Sequence, residues 1–137
     1  MKLAPGAEVT WHCTVTREMI ARYAQASGDA NPIHQDDEAA RKAGLPGVVA
    51  HGLWTLGVMA EGLRAWVGSS HQVVEIFGRF SHPVRPGGTL TFSLRVVGEE
   101  GRPDLPLPLW RVEGDATNQE GQRVLTKAGA LLKGGAR

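Results

Sequence analysis

The 137-residue sequence predicts an α+β fold in which a curved antiparallel sheet wraps around one central apolar helix. Three observations predict it. The run from His51 to Val67 is apolar almost all round. Four later segments alternate apolar and polar residues with a period of two. The period switches from helical to strand-like once, after Gly68.

The elements follow in order. A weak strand, Glu8 to Val15, opens the chain. Thr16 stands where it can cap a helix running to about Ala26, with Glu18 in the first turn and Gly28 just past the end. Met19, Ile20, Tyr23 and Ala24 make its apolar stripe. Asp36 caps a shorter helix over residues 38–43, ended by Gly44 and the Pro46-Gly47 pair. The third helix carries Leu53, Trp54, Leu56, Val58, Met59 and Ala60 and is expected to be buried on all sides. Its far end turns polar at Glu61 and Arg64, spaced to pair. Val74, Ile76 and Phe80 then share one strand face, with Glu75 and Arg79 on the other. Leu90, Phe92, Leu94 and Val96 alternate with Thr91, Ser93 and Arg95. Trp110 and Val112 alternate with Arg111, Glu113 and Asp115, and Val124, Ala128, Ala130 and Leu132 close the pattern. Pro86-Gly87-Gly88 and Asn118 to Gly121 read as hairpin turns. A sheet of this kind leaves open edges, and pairing with a second copy covers them, so a homodimer is expected.

Length and composition set the remaining bounds. One domain over residues 1–137 accounts for the chain, which is long enough to bury a core. The net charge of +1, with acids and bases mixed, provides no footprint for nucleic acid and no polybasic membrane patch. Pro5, Gly6 and Glu8 interrupt any signal-peptide hydrophobic region, and the apolar stretch Leu53 to Ala60 is too short to span a bilayer. The single cysteine, Cys13, excludes an intrachain disulfide and fits a reducing cytoplasm. It reads as a small buried hydrophobe rather than a nucleophile.

The run Tyr23 to His34 carries the chemistry. It sets an acid, Asp29, and an imidazole, His34, on either side of an Asn-Pro step. At a spacing of five the two side chains diverge on a helix or a strand, and only an irregular bend brings them together. Pro32 supplies one by fixing its own φ and pushing Asn31 out of the α region. A carboxylate beside a histidine suits general acid–base chemistry near neutral pH. Asn31 is placed to brace that turn. No His or Cys spacing suggests a metal site, and no glycine pattern suggests a phosphate loop.

The string Tyr23-x-x-x-Ser27-Gly28-Asp29-x-Asn31-Pro32-Ile33-His34, followed by Ala40, closely resembles the signature of the (R)-specific enoyl-CoA hydratase family, also called MaoC-like dehydratases. The resemblance continues in Val48-Val-Ala-His51-Gly52 and in Phe80-Ser-His-Pro83-Val84-Arg-Pro86-Gly87. It is also similar to actinobacterial 3-hydroxyacyl-thioester dehydratase subunits. The resemblance implies a hot-dog fold and reversible hydration of a trans-2-enoyl thioester to the (R)-3-hydroxyacyl thioester, in fatty-acid metabolism and without a cofactor. Asp29 and His34 are then the catalytic pair, and the Gly52 amide at a helix N-terminus is the donor for the thioester oxygen. Asn31, His51 and Trp54 are expected around the substrate, Trp54 as a bulky ring near the acyl pocket. His51 also reads as a structural residue bonding nearby backbone. The place of a small polar residue common in this family falls here on Gly57, a departure that removes a possible secondary contact. The implied substrate is an acyl-CoA or acyl-carrier-protein thioester, and Arg79, Arg85, Arg95 and Lys127 are candidate cations for its carrier. A heterodimer with another hot-dog subunit, an acyl-binding partner role and a thioesterase remain as alternatives. The first turns of the third helix offer Thr55 but no acid before Glu61, which argues against the last.

Overall fold

In the computed structural model, which describes residues 2–134, strand β1 (Glu8–Thr14) leads into helix α1 (Arg17–Ser27). Thr16 Oγ1 accepts the Met19 N–H at 3.1 Å, a cap that contributes about 1 kcal/mol. Gly28 ends the helix at φ 77°, a left-handed conformation that costs glycine little. A single 3₁₀ turn, Pro32–His34, precedes α2 (Asp37–Lys42), which Asp36 caps by accepting the Glu38 N–H. The long helix α3 (Gly52–Val67) follows. Strands β2 (His71–Phe80), β3 (Thr89–Arg102), β4 (Leu105–Thr117) and β5 (Arg123–Gly134) complete the chain.

The five strands form one antiparallel sheet in the order β1-β3-β4-β5-β2. Its inner face supplies Leu90, Phe92, Leu94, Val96, Val112 and Ala130, which pack with Met59, Leu63 and Val67 of α3. This is the curved-sheet-and-helix arrangement the periodicity predicts. Glu61 and Arg64 pair as their spacing requires.

Four expectations need correction. First, α3 is not buried all round: Thr55, Leu56, Met59, Leu63 and Val67 are enclosed, while Leu53 is 65% exposed. One sheet covers only one side of a helix, and no second layer lies on the other side among the described residues. Second, Val74, Ile76 and Phe80 do not alternate regularly with Glu75 and Arg79, and they are 37%, 38% and 53% exposed. Register shifts after Val73 and after Phe77 break the alternation, and β2 is an edge strand. Third, Pro86-Gly87-Gly88 is not a hairpin turn, because β2 and β3 are not neighbours in the sheet. It is the corner where the chain crosses to β3, pinned by Gly87 N–H to Val15 O and Val15 N–H to Gly88 O. Fourth, β3 and β4 extend well past Val96, pairing as far as Arg102 with Leu105 to form a long hairpin.

Candidate functional site

Three backbone segments meet at the N-terminus of α3. Between α1 and the 3₁₀ turn, short polar side chains replace helical bonding with local turns. Asp29 N–H donates to Ser27 Oγ at 3.1 Å, and Asn31 N–H donates to Asp29 Oδ1 at 3.2 Å. Asn31 Oδ1 in turn accepts the Ile33 N–H at 3.2 Å, with Pro32 fixed in the first turn. Asn31 therefore braces the bend. The Val49 N–H donates to Ile33 O at 3.1 Å, and the Ala50 N–H donates to Val84 O at 2.8 Å. These bonds tie the Asn-Pro turn, the strip before α3 and the crossing after β2 into one unit.

This bend brings Asp29 and His34 together. Ligand-type atoms of Asp29, His34 and His51 all lie within 4.8 Å of one another. His34 is buried, and its Nδ1 lies 2.6 Å from Val49 O. A carbonyl oxygen only accepts, so Nδ1 carries the hydrogen and Nε2 keeps a free lone pair in the neutral ring. The Asp29 carboxylate, by contrast, stands at the exposed rim.

His51 lies against both. Its ring stacks on His34 with centroids 3.6 Å apart and planes 23° apart, and Tyr23 flanks its other side at 4.8 Å. By the same logic its Nε2–H donates to Asp29 O at 3.3 Å. Burial, with a smaller push from the neighbouring His34, holds its pKa below the usual histidine value. The bond to Asp29 O and the nearby carboxylate oppose that shift without reversing it. His51 thus bonds neighbouring backbone, as its structural reading anticipates. The trio makes a poor metal site, because lone pairs in two nearly parallel stacked rings do not converge on one ion.

A cavity of about 400 Å³ opens beside His34, lined by Gly52, Thr55, Phe80, Val84 and Val124 among others. Gly52 begins α3, where amides have no intrahelical acceptor. A Cβ at Gly52 would lie 2.7 Å from the Phe80 ring, so only glycine fits beneath that ring as it stands. Thr55 lies three residues on along the same helix face and reaches the same cavity. In the sequence Thr55 stands out only as the hydroxyl offered by the first turns of that helix.

Trp54 does not line this cavity. It faces a second groove of about 570 Å³ with Trp11, Cys13, Tyr23 and Val58. An apolar helix leaves open which of its flanks faces which cavity, and Trp54 lines the second groove rather than the one beside His34 and Gly52. Gly57 lies on that side too. Burial raises the pKa of the Cys13 thiol, which suits an unreactive side chain. His82 lies at the exposed rim of the first cavity, while His71 is buried at the start of β2 and bonded to Ser70 Oγ at 2.8 Å.

Residues 3–105 match the family model described as MaoC like domain. The chain is 42% identical over 101 residues to 3-hydroxyacyl-thioester dehydratase Y of Mycobacterium tuberculosis, a match covering 63% of this chain and 35% of the relative. The chain thus spans about a third of that curated relative. Among solved structures, the unliganded R-hydratase PhaJ1 from Pseudomonas aeruginosa superposes with a TM-score of 0.81 at 25% identity, covering 98% of this chain and 84% of that one. The ChsH1-ChsH2 complex from Mycobacterium tuberculosis gives a TM-score of 0.80 at 22% identity, covering 96% and 98%. The shared architecture is the hot-dog fold.

Proposed function

We propose that this chain, which belongs to the MaoC-like dehydratase family, is a hydro-lyase that adds water reversibly to a trans-2-enoyl thioester. The product is the (R)-3-hydroxyacyl thioester. The observation that carries this reading is the His34 Nδ1–H bond to Val49 O, which leaves Nε2 free as a base on a ring clustered with the Asp29 carboxylate. In hydration, a water held between Asp29 and His34 gives its oxygen to C3. A C3–O bond forms, the 2,3 double bond is lost, and a proton reaches C2 through the pair. Negative charge builds on the thioester oxygen as C3 is attacked, and the Gly52 amide at the start of α3 meets it. Dehydration runs the same steps backwards. His51 holds the turn and His34 in place rather than touching the reacting atoms, and Asn31 fixes the bend.

We take residues 1–137 as one hot-dog domain: the family match ends at residue 105, but β4 and β5 complete the same sheet. We also propose a homodimer in the cytoplasm. The unpaired β2 edge and the exposed Leu53, Val74 and Ile76 favour a covered surface. The two-subunit ChsH1-ChsH2 complex favours a different hot-dog partner as the second reading. No helix among the described residues is long and apolar enough to cross a membrane.

The test of the mechanism is crotonyl-CoA hydration, followed by the loss of enoyl absorbance. Asp29→Asn and His34→Ala should each lower the rate by about 10²–10⁴-fold while the protein stays folded. Retention of most of the rate in either variant overturns the assignment.

A further inference from the structure

Four buried side-chain atoms among the described residues have no hydrogen-bond partner: Trp11 Nε1, His51 Nδ1, Thr55 Oγ1 and His71 Nε2. Of these residues only Thr55 lines the cavity of His34 and Gly52. Thr55 is 2% exposed, so bulk water does not satisfy its hydroxyl. A buried hydroxyl without a partner destabilises the fold, and valine would fill the same shape without that cost. The usual relief in a helix is a bond from the hydroxyl to the carbonyl four residues back. Here that carbonyl, His51 O, receives the Thr55 N–H at 3.4 Å, while Oγ1 has no acceptor. The hydroxyl is therefore open to a partner that enters the cavity.

Its position indicates which atom. Gly52 and Thr55 lie on one face of α3, one turn apart, with an axial rise of about 4.5 Å. In the thioester reading above, on which this inference rests, the substrate carbonyl oxygen lies at the Gly52 amide. C3 follows the carbonyl carbon by two bonds, on the way into the cavity past His34. We propose that Thr55 Oγ1 is a hydrogen-bond partner of the oxygen at C3: the attacking water in hydration and the departing hydroxyl in dehydration. Thr55 keeps its own proton throughout. The proton balance stays with the Asp29–His34 pair, and the threonine orients the oxygen that forms or breaks the C3–O bond.

The experiment compares the wild type with Thr55→Val and Thr55→Ser in the full chain. It measures kcat and KM for crotonyl-CoA, product inhibition by (R)-3-hydroxybutyryl-CoA, and competitive inhibition by butyryl-CoA, which has no C3 oxygen. Thr55→Val should lower kcat by about tenfold to a hundredfold and weaken product inhibition comparably. Butyryl-CoA should inhibit as before, and the melting temperature should stay level or rise, which a purely structural hydroxyl would not allow. Thr55→Ser should recover the rate to within a few-fold. Wild-type kcat in Thr55→Val, or equal weakening of both inhibitors, overturns the contact at C3 while leaving the hydratase reading intact. A wild type that hydrates no enoyl-CoA overturns the thioester reading, and this proposal with it.

Discussion

Replacing Gly52 with alanine separates two reasons for a glycine at the start of α3. The new Cβ would meet three Phe80 ring carbons at 2.7, 2.7 and 2.8 Å. Ordinary carbon contacts lie near 3.5–4.0 Å, so the ring must retreat by roughly 1 Å. Phe80 is already 53% exposed, so it has room to swing outward. If it gave up its remaining burial, about 100 Å², the loss would be about 2.5 kcal/mol at about 25 cal/mol/Å². That is an upper bound, and the expected destabilisation is about 1–2 kcal/mol. A folded Gly52→Ala protein should therefore survive. Its activity should fall much further, by about 10²–10³-fold, if a thioester oxygen has to approach the Gly52 amide. The assay is crotonyl-CoA hydration by Gly52→Ala, Phe80→Ala and the double variant, with melting curves for all three. In the Phe80→Ala background the clash is gone, so a packing role predicts that alanine at position 52 becomes silent. An approach role predicts that it still costs most of the rate. A double variant as active as Phe80→Ala alone would refute the oxyanion assignment of Gly52.

Three further expectations concern the surroundings. Trp54→Ala should leave the preference among enoyl chain lengths unchanged, because Trp54 faces the second groove, whereas Leu45→Ala, in the wall of the first cavity, should shift it toward longer chains. Kinetics with four-, six- and eight-carbon enoyl-CoAs would reveal the reverse pattern if the acyl chain runs past Trp54. Ile76→Lys together with Val74→Lys places charges on the open β2 edge and should convert a dimer to monomers by light scattering; an intact dimer would move the interface off this strand. Stability should fall in acid. Burial depresses the pKa of His51 and of His71 below the ordinary 6.5, so the unfolded chain takes up protons first. The stabilisation is complete above about pH 6.5 and drains away as pH falls through the lower folded values. Each histidine adds a slope of up to about 1.4 kcal/mol per pH unit. His71→Phe should flatten melting temperature against pH between 7.5 and 5.0, and an unchanged slope would count against buried, neutral His71.

The first half of the chain was legible because its signals are local. Thr16, Gly28, Asp36 and Gly44 act on their own backbone or that of close neighbours, so their effects can be read before the fold is known. The second half depends on partners far away in sequence. Pro86-Gly87 announces a turn but not what the turn joins, and that is settled only by the bonds to Val15. The bulges of β2 invert a regular alternation, and the β3–β4 arm is hidden by Gly98, Gly101 and Pro103 breaking the period. The site divides the same way. Asp29 and His34 could be found in a string, while the Val49 carbonyl that fixes the His34 tautomer has no side chain to betray it.

The stacked histidines limit how the site can move protons. Two like charges about 4 Å apart repel by about 4 kcal/mol at an effective dielectric of 20, so the stack does not readily hold two protonated rings. His51 is the ring kept neutral, since burial and the adjacent imidazole both act against its charged form. Its single N–H is already committed to Asp29 O, and its Nδ1 is buried with no donor to bond it. Carrying a proton through His51 would break the bond that holds the Asp29 backbone in the turn. In the hydratase reading proposed above, proton traffic then falls to His34 Nε2 and the Asp29 carboxylate rather than to His51. The second histidine serves by keeping the first in place, with a fixed tautomer and one free nitrogen.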